Sequence, residues 1–271
     1  MTRSPFPLIA VDVGNSRVKL GRFEAAPAAD GQLPSPAATL ELGADAAELA
    51  KIGPWLSGRQ AGGAHAAGDF RWYIGSVQRS VGSTLIDWLR SQDVRHVTLL
   101  ASFDLPLHAT LPRPDMVGID RLLGAVAANR LRSPDRPAII VDLGTAVTVD
   151  LVDAAGAFAG GAILPGIGLS ARALHAFTDL LPELEMQGLA EPPAALGTDT
   201  IAAMRAGIYW GAVGGVRQLI DLLSRQLPRP PQVFLTGGAA PAVAHLIAAD
   251  AQYQAHLVLA GIALTAAGSP S

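Results

Sequence analysis

The sequence predicts an α/β protein built as two related lobes, and three observations carry that prediction. Ile9-Ala-Val-Asp-Val-Gly-Asn-Ser16 and Ile139-Ile-Val-Asp-Leu-Gly-Thr-Ala146 each run an apolar strand into Asp-x-Gly followed by a small polar residue. Their aspartates, Asp12 and Asp142, divide the 271-residue chain roughly in half. Around them, strand-like and helix-like stretches alternate in the manner of mixed or parallel sheets with crossover helices. A chain of this length that is 50% hydrophobic can bury one large core or two modest ones. The lobes are drawn at residues 1–132 and 133–271.

Taken in order, Leu8 to Phe23 reads as strand, tight turn at Gly14-Asn15, strand, with polar residues at the tip. A stretch rich in Ala, Pro and Gly follows, with a weak strand at Ala37 to Glu41, a helix from Ala44 to Leu56 and a tip around Gly62-Gly63. Arg71 to Val77 reads as a strand, Ser80 to Ser91 as an amphipathic helix and Arg95 to Leu100 as another strand. Asp104 to Pro114, with Pro106 and Pro112 inside it, is a loop leading into Gly118-Ile-Asp-Arg121 and a helix that ends near Arg132.

The second lobe restarts at Ala138 with a strand, a turn at Gly144, a strand through Val152, a turn at Ala155-Gly156 and a third strand to Ile163. Pro165-Gly166 breaks the chain before a helix, and a long helix fills Asp199 to Gln226. Val233 to Leu235 is a buried strand ending in Thr236-Gly-Gly238. A helix over Pro241 to Ala248, a strand near Ala255 to Leu257 and a closing helix complete the prediction.

Bulk properties narrow the function. The formal charge is −3 and the 20 basic residues are scattered, so no electrostatic footprint for nucleic acid is visible and a small-molecule substrate is expected. Cysteine is absent, which excludes disulfides, thiolate metal sites and a cysteine nucleophile. Met1 to Pro7 does not fit a secretory signal, and no run of about eighteen apolar residues exists. The expected location is the cytoplasm, with no membrane partner.

An aspartate that ends a buried strand and is followed by glycine suits phosphate chemistry. Its carboxylate can hold Mg2+, and the missing side chain lets ATP approach the backbone. Turn amides, with Asn15, Ser16 and Lys19, then contact the outer phosphates. The same residue types also make ordinary hairpin turns; it is the second copy, in the other half, that argues for two lobes closing on one polyphosphate. The Gly-x-x-x-x-Gly-Lys phosphate loop is nowhere in the chain. Gly166-Ile-Gly168 imitates a dinucleotide fingerprint, but no strand ending in an acidic residue follows at the spacing ribose recognition requires.

The arrangement resembles the acetate and sugar kinase, Hsp70 and actin superfamily, and within it the type III pantothenate kinases. The resemblance rests on an ordered set: Asp12-Val-Gly-Asn-Ser16, Gly75-Ser-Val77, Val117-Gly-Ile-Asp-Arg121, Asp142-Leu-Gly-Thr-Ala-Val-Thr-Val-Asp150, Gly160-Gly-Ala-Ile-Leu-Pro-Gly166, Gly197-Thr-Asp-Thr200 and Leu235-Thr-Gly-Gly238. It implies an actin-like ATPase fold of two ribonuclease H-like lobes with mixed sheets. It also implies ATP-dependent phosphorylation of pantothenate to 4′-phosphopantothenate, the first step toward coenzyme A, by a homodimer.

Residue by residue, the resemblance makes Asp12, Val13, Gly14, Asn15, Ser16, Arg17, Val18 and Lys19 the ATP-binding hairpin, with Thr145 a further ATP contact. Asp142 becomes the ligand of a monovalent cation, K+ or NH4+. Gly118, Ile119, Asp120 and Arg121 form the pantothenate segment, with Thr200 reaching pantothenate, commonly across the dimer interface. Asp120 is the base that orients the acceptor hydroxyl and takes its proton, a role phosphorylation of an alcohol requires. An ordinary aspartate, with a pKa of about 3.9, suffices because a loose transition state releases the proton late.

Other roles compete at these positions. Asp120 and Thr200 both stand where a helix cap stands, Arg121 where an exposed arginine stands, and Gly237-Gly238 makes an ordinary turn as readily as a bare surface for adenosine. His108 and His175 lie near site segments without forming a ligand set. Leu111 replaces a tyrosine common in the family seven residues before Gly118, while Pro114 is kept. The helix from Ile201 to Leu223 is apolar enough for a dimer surface or for core. Two other activities compete as well: an accessory protein that kept the fold without catalysis, or a kinase of another small hydroxyl compound.

Overall fold

The computed structural model describes residues 4–26, 31–58, 65–185 and 191–268. The chain divides into two compact units, residues 1–132 with 256–271, and residues 133–255. The expected tip around Gly62-Gly63 lies outside the described residues.

The first unit is built on a five-stranded sheet of β1 (Leu8–Val13), β2 (Arg17–Phe23), β3 (Ala38–Gly43), β4 (Arg71–Ser76) and β5 (Val97–Leu99). Spatial order is β3-β2-β1-β4-β5, antiparallel from β1 through β3 and parallel from β1 through β5. Central β1 is covered on both faces, so Leu8, Ile9, Ala10 and Val11 are all fully buried; that is why it reads as a continuous apolar run rather than an alternating one. Ile9, Val11, Val13, Val18, Leu20, Trp72 and Ile74 face a core completed by α1 (Ile52–Ser57) and α2 (Arg79–Ser91).

The segment expected as one helix from Ala44 is a 3-10 stretch, Ala46–Lys51, continued by the short α1. Pro54 explains the change: it has no N–H to donate to the carbonyl four residues back, so the regular ladder cannot run through. Gln78 starts α2 by accepting from the N–H groups of Ser80 and Val81.

On the opposite face lie α3 (Ile119–Leu131) and α7 (Leu257–Gly268). They cross so closely that any side chain at Gly261 would strike the Leu123 backbone. Here the sequence reading is revised. It gives a strand at Ala255 to Leu257 and a closing helix in the second lobe, whereas helix α7 begins at Leu257 and belongs to the first unit. The strand in this part of the chain is Gln252–Tyr253, three residues earlier than expected, and Leu257 already opens a helix buried nearly all round.

The second unit repeats the plan with β6 (Ala138–Leu143), β7 (Ala146–Val152), β8 (Phe158–Pro165), β9 (Gln232–Thr236) and β10 (Gln252–Tyr253). Its order, β10-β9-β6-β7-β8, is that of the first sheet read from the other edge, with the same parallel and antiparallel pairings. β6 and β9 therefore correspond to β1 and β4. Between them run α4 (Ile167–Ala176), α5 (Thr200–Ser224) and, after β9, α6 (Ala240–Ile247); Tyr209, Val213 and Val216 of α5 pack with Val141, Val149 and Val233 in one core.

Candidate active site

Asp12 is half-buried near the end of β1, opposite Lys19 on β2 and Gly75 on β4. Directly paired residues share a face, and Lys19 in turn faces Glu41 on β3. A polar row, Glu41, Lys19, Asp12, thus crosses the sheet at one end and stops at Gly75. Around the tip, Gly14 donates to the Arg17 carbonyl at 2.9 Å, Asn15, Ser16 and Arg17 are exposed, and Arg17 pairs with Glu41. Val13 and Val18 point into the core, so of the eight hairpin residues these two offer a ligand only their backbone. His256, just before α7, joins the row: burial lowers its pKa first, the Lys19 charge adds to this, and Glu41 opposes it.

Asp120 belongs to the same end of the same face. Helix α3 docks its first turn on β4 where Gly75 has no side chain; a Cβ there would lie 2.8 Å from Leu123 and 3.7 Å from Ile119. Since Gly75 is the register partner of Asp12, the fold brings the strand carboxylate and the start of α3 together within one unit. Gly118 holds the N-cap position without a side-chain cap. The Asp120 carboxylate instead accepts from the Arg121 N–H at 2.8 Å, so the capping role weighed from sequence is met in part, from inside the first turn. Burial raises its pKa above the usual carboxylate value, against the pull of the Arg121 N–H, the Arg121 charge and its own N–H. The carboxylate is therefore more basic than the ordinary aspartate assumed from sequence. Arg121 is half-buried beside it, and Ile119 is buried.

The loop before α3 contains a 3-10 turn, Pro114–Met116, and a two-pronged ion pair from Arg113 to Asp115 at 2.9 and 2.6 Å. That pair raises the pKa of Arg113 and lowers that of Asp115, both through their hydrogen bonds. Sequence reading passed it over, since Arg-x-Asp in a proline-rich loop has no distinguishing period.

In the second unit, Asp142 occupies the place Asp12 holds in the first, with Thr148 and the buried Thr236 as register partners. The turn after it is one residue tighter: Leu143 pairs with Val147, whereas Val13 pairs with Val18. Thr145 is exposed at its tip. The glycine pair after β9 divides into two unlike positions. Gly237 is buried at φ +94°, and a Cβ on it would lie 2.5 Å from Asp142 Oδ1 and 2.6 Å from the Leu143 backbone. Gly238 is exposed with open space around it. The first is bare because its own turn requires it; only the second is bare with nothing in the protein to require it. Gly237→Ala is expected to destabilise the second unit by about 1–3 kcal/mol, read from a urea titration; an unchanged midpoint would show that the Asp142 turn yields freely.

Thr200 is exposed in the first turn of α5, but the cap is Asp199, whose carboxylate accepts from Ala202 N–H at 2.8 Å. The capping alternative for Thr200 is therefore taken by its neighbour. His175 Nδ1 lies 2.8 Å from the Leu181 carbonyl, and His108 is exposed. Among the described residues no three acidic or histidine side chains cluster as a metal site, and no helix is long and apolar enough to cross a membrane.

A duplicated five-stranded plan with an aspartate ending each first strand is the fold of actin-like ATPases and sugar kinases. Solved structures agree. A putative 2-dehydro-3-deoxygalactonokinase from Sinorhizobium meliloti matches 96% of this chain and 98% of its own with a TM-score of 0.52 at 18% identity. The activator of 2-hydroxyisocaproyl-CoA dehydratase from Clostridium difficile, with bound ADPNP, matches 96% and 93% with a TM-score of 0.51 at 14% identity. At such identities the likeness concerns the fold. Residues 8–222 match the type III pantothenate kinase family model, and the chain belongs to that family. Proteins named type III pantothenate kinase from Acidiphilium cryptum and Gluconobacter oxydans are 39% and 41% identical to it, over 63% and 57% of this chain. The matched stretches span 62% and 54% of those relatives' own lengths.

Proposed function

We propose that this protein is an ATP-dependent kinase that phosphorylates pantothenate to 4′-phosphopantothenate, the first step of coenzyme A biosynthesis, in the cytoplasm. The observation that carries the reading is the placing of Asp12 and Asp120 at one end of one sheet face, joined through Gly75. A kinase of an alcohol needs those two carboxylates for different tasks.

Asp12 suits Mg2+ held by one or two carboxylates with substrate phosphates and water completing the shell; when bound, the ion neutralises charge on the transferring phosphoryl group. The Gly14-Asn15-Ser16 turn and Lys19 hold the outer phosphates of ATP, with Thr145 a further contact. Asp120 accepts a hydrogen bond from the pantothenate hydroxyl and takes its proton as the phosphoryl group arrives. Its raised pKa helps, because a buried carboxylate gains more from receiving that proton. Arg121 matches the carboxylate of pantothenate with a planar pair of donors. Asp142 fits a monovalent cation, K+ or NH4+, because the groups around it, the carboxylate and the hydroxyls of Thr148 and Thr236 in register with it, are oxygen donors.

Thr200 completes the pantothenate site from the second copy of a homodimer. Supporting this, α5 buries one side in its own unit while Gly207, Gly211 and Met204 join Leu174 and Phe177 in an apolar groove of about 600 Å³. Phe177, 88% exposed, stands at that groove. ADP release with pantothenate, pantetheine and simple sugars tests the proposal. Turnover is expected with pantothenate; turnover with a sugar and none with pantothenate would assign the site to another acceptor.

A further inference from the structure

Gly118 has no backbone reason to be glycine. Its φ of −54° and ψ of 130° are open to every L residue. Nor is it crowded by the fold: apart from one atom, the nearest neighbours of a Cβ built on it are Val77 at 3.6 Å and the Asp120 carboxyl carbon at 3.7 Å, ordinary contacts. The exception is Asp120 Oδ1, at 2.5 Å. That same oxygen accepts the Arg121 N–H. An N-cap of Ser, Thr, Asp or Asn would be the usual way to start such a helix, and each would put a Cβ into the space the carboxylate occupies.

We infer that Gly118 is a positioning residue for the base: its bare α-carbon is the seat in which the Asp120 carboxylate lies against the first turn of α3. This rests on the reading of Asp120 as the base and deepens it, giving Gly118 a task that direct contact with pantothenate does not describe. A side chain at 118 leaves the helix intact and turns the carboxylate out of its seat, toward solvent and away from the acceptor hydroxyl.

Two variants test this, Gly118→Ala and Gly118→Ser, each measured for melting temperature, kcat, ATP KM and the titration midpoint of the Asp120 carboxyl by carbon NMR. Serine is the better helix cap, so G118S is expected to melt at or above the wild-type temperature. Both variants are expected to lose kcat on the order of 10²-fold, as misplacement of a reacting group by about 1 Å does, with ATP KM unchanged. The Asp120 midpoint is expected to fall toward the ordinary carboxylate value as the group leaves its buried seat, with Arg121 its charged neighbour in either position. Wild-type kcat in a well-folded G118S, or an Asp120 midpoint that does not move, overturns the inference. Asp120→Asn separates the two layers. Full turnover in D120N removes the base reading, while the NMR midpoint in G118A and G118S still decides whether Gly118 seats the carboxylate.

Discussion

Asp120→Asn is expected to lower kcat by about 10²–10⁴-fold, the range typical of a lost general base, while ATP affinity stays at the wild-type value. Asparagine keeps the size of the side chain and can still accept the Arg121 N–H through its carbonyl oxygen, but it cannot take a proton from the acceptor. Because the proposed ATP site is the Asp12 hairpin, binding of nucleotide and loss of turnover should separate cleanly. Steady-state ADP release paired with calorimetric ATP titration reads both. Undiminished turnover would end the case for Asp120.

The direction of the Asp120 pKa adds two consequences. If Asp120 is the proposed base, wild-type activity should fall on the acid side through a midpoint above the usual carboxylate value, since the carboxyl must be ionised to accept the proton. Stability runs the other way. With the folded-state pKa above the unfolded one, the native protein keeps this proton over a window in which the unfolded chain has released it. Stability therefore falls as pH rises through that window. At neutral pH the ionised group opposes folding, and D120N is expected to melt above wild type. Below the unfolded pKa, where both carboxyls are neutral, the difference should vanish.

Truncation after Ala255 is expected to abolish cooperative folding of the first unit. It removes α7, whose Leu257, Val258, Leu259 and Ile262 are buried. At about 1.5–3 kcal/mol for each large apolar side chain, the loss is roughly 6–12 kcal/mol, against a total of about 5–15 kcal/mol for a typical domain. It also bares the face on which the Asp12 row and α3 sit. Trp55, Trp72 and Trp88 report on this unit and Trp210 on the other, so fluorescence in a Trp210→Phe background follows the first unit alone. A truncated chain whose first three tryptophans keep a sharp unfolding transition would contradict the role given to α7.

These expectations also mark what the sequence could and could not convey. The hairpins around Asp12 and Asp142 were legible because an apolar strand, an Asp-x-Gly turn and a second apolar strand make a local pattern, and its recurrence exposes the duplication. The polar row was not: that Lys19 faces Asp12 and that Gly75 closes the row depend on register and on β4, which lies far along the chain. Asp120 could be singled out by its motif, but its shifted pKa comes from its burial in the fold, which no local residue type encodes. Gly237 looked like part of a surface for adenosine; its positive φ and its contact with the Asp142 turn arise from a parallel pairing between β6 and β9. The closing helix was legible, but not its place in the first unit, because a helix apolar on every side does not show in its own sequence which sheet it covers.

The place of α7 in the chain bears on biosynthesis. A ribosome releases residues 1–132 first, yet the unit they form is completed only by residues 256–271, after all of the other unit has been made. The segment at 133–255 is continuous and can close without any residue from outside it. The part that carries Asp12 and Asp120 must wait, with only α3 on its β1–β4 face, until α7 leaves the exit tunnel. A released chain that ends at Ala255 should accordingly be cut by protease within the first half and resist it within the second.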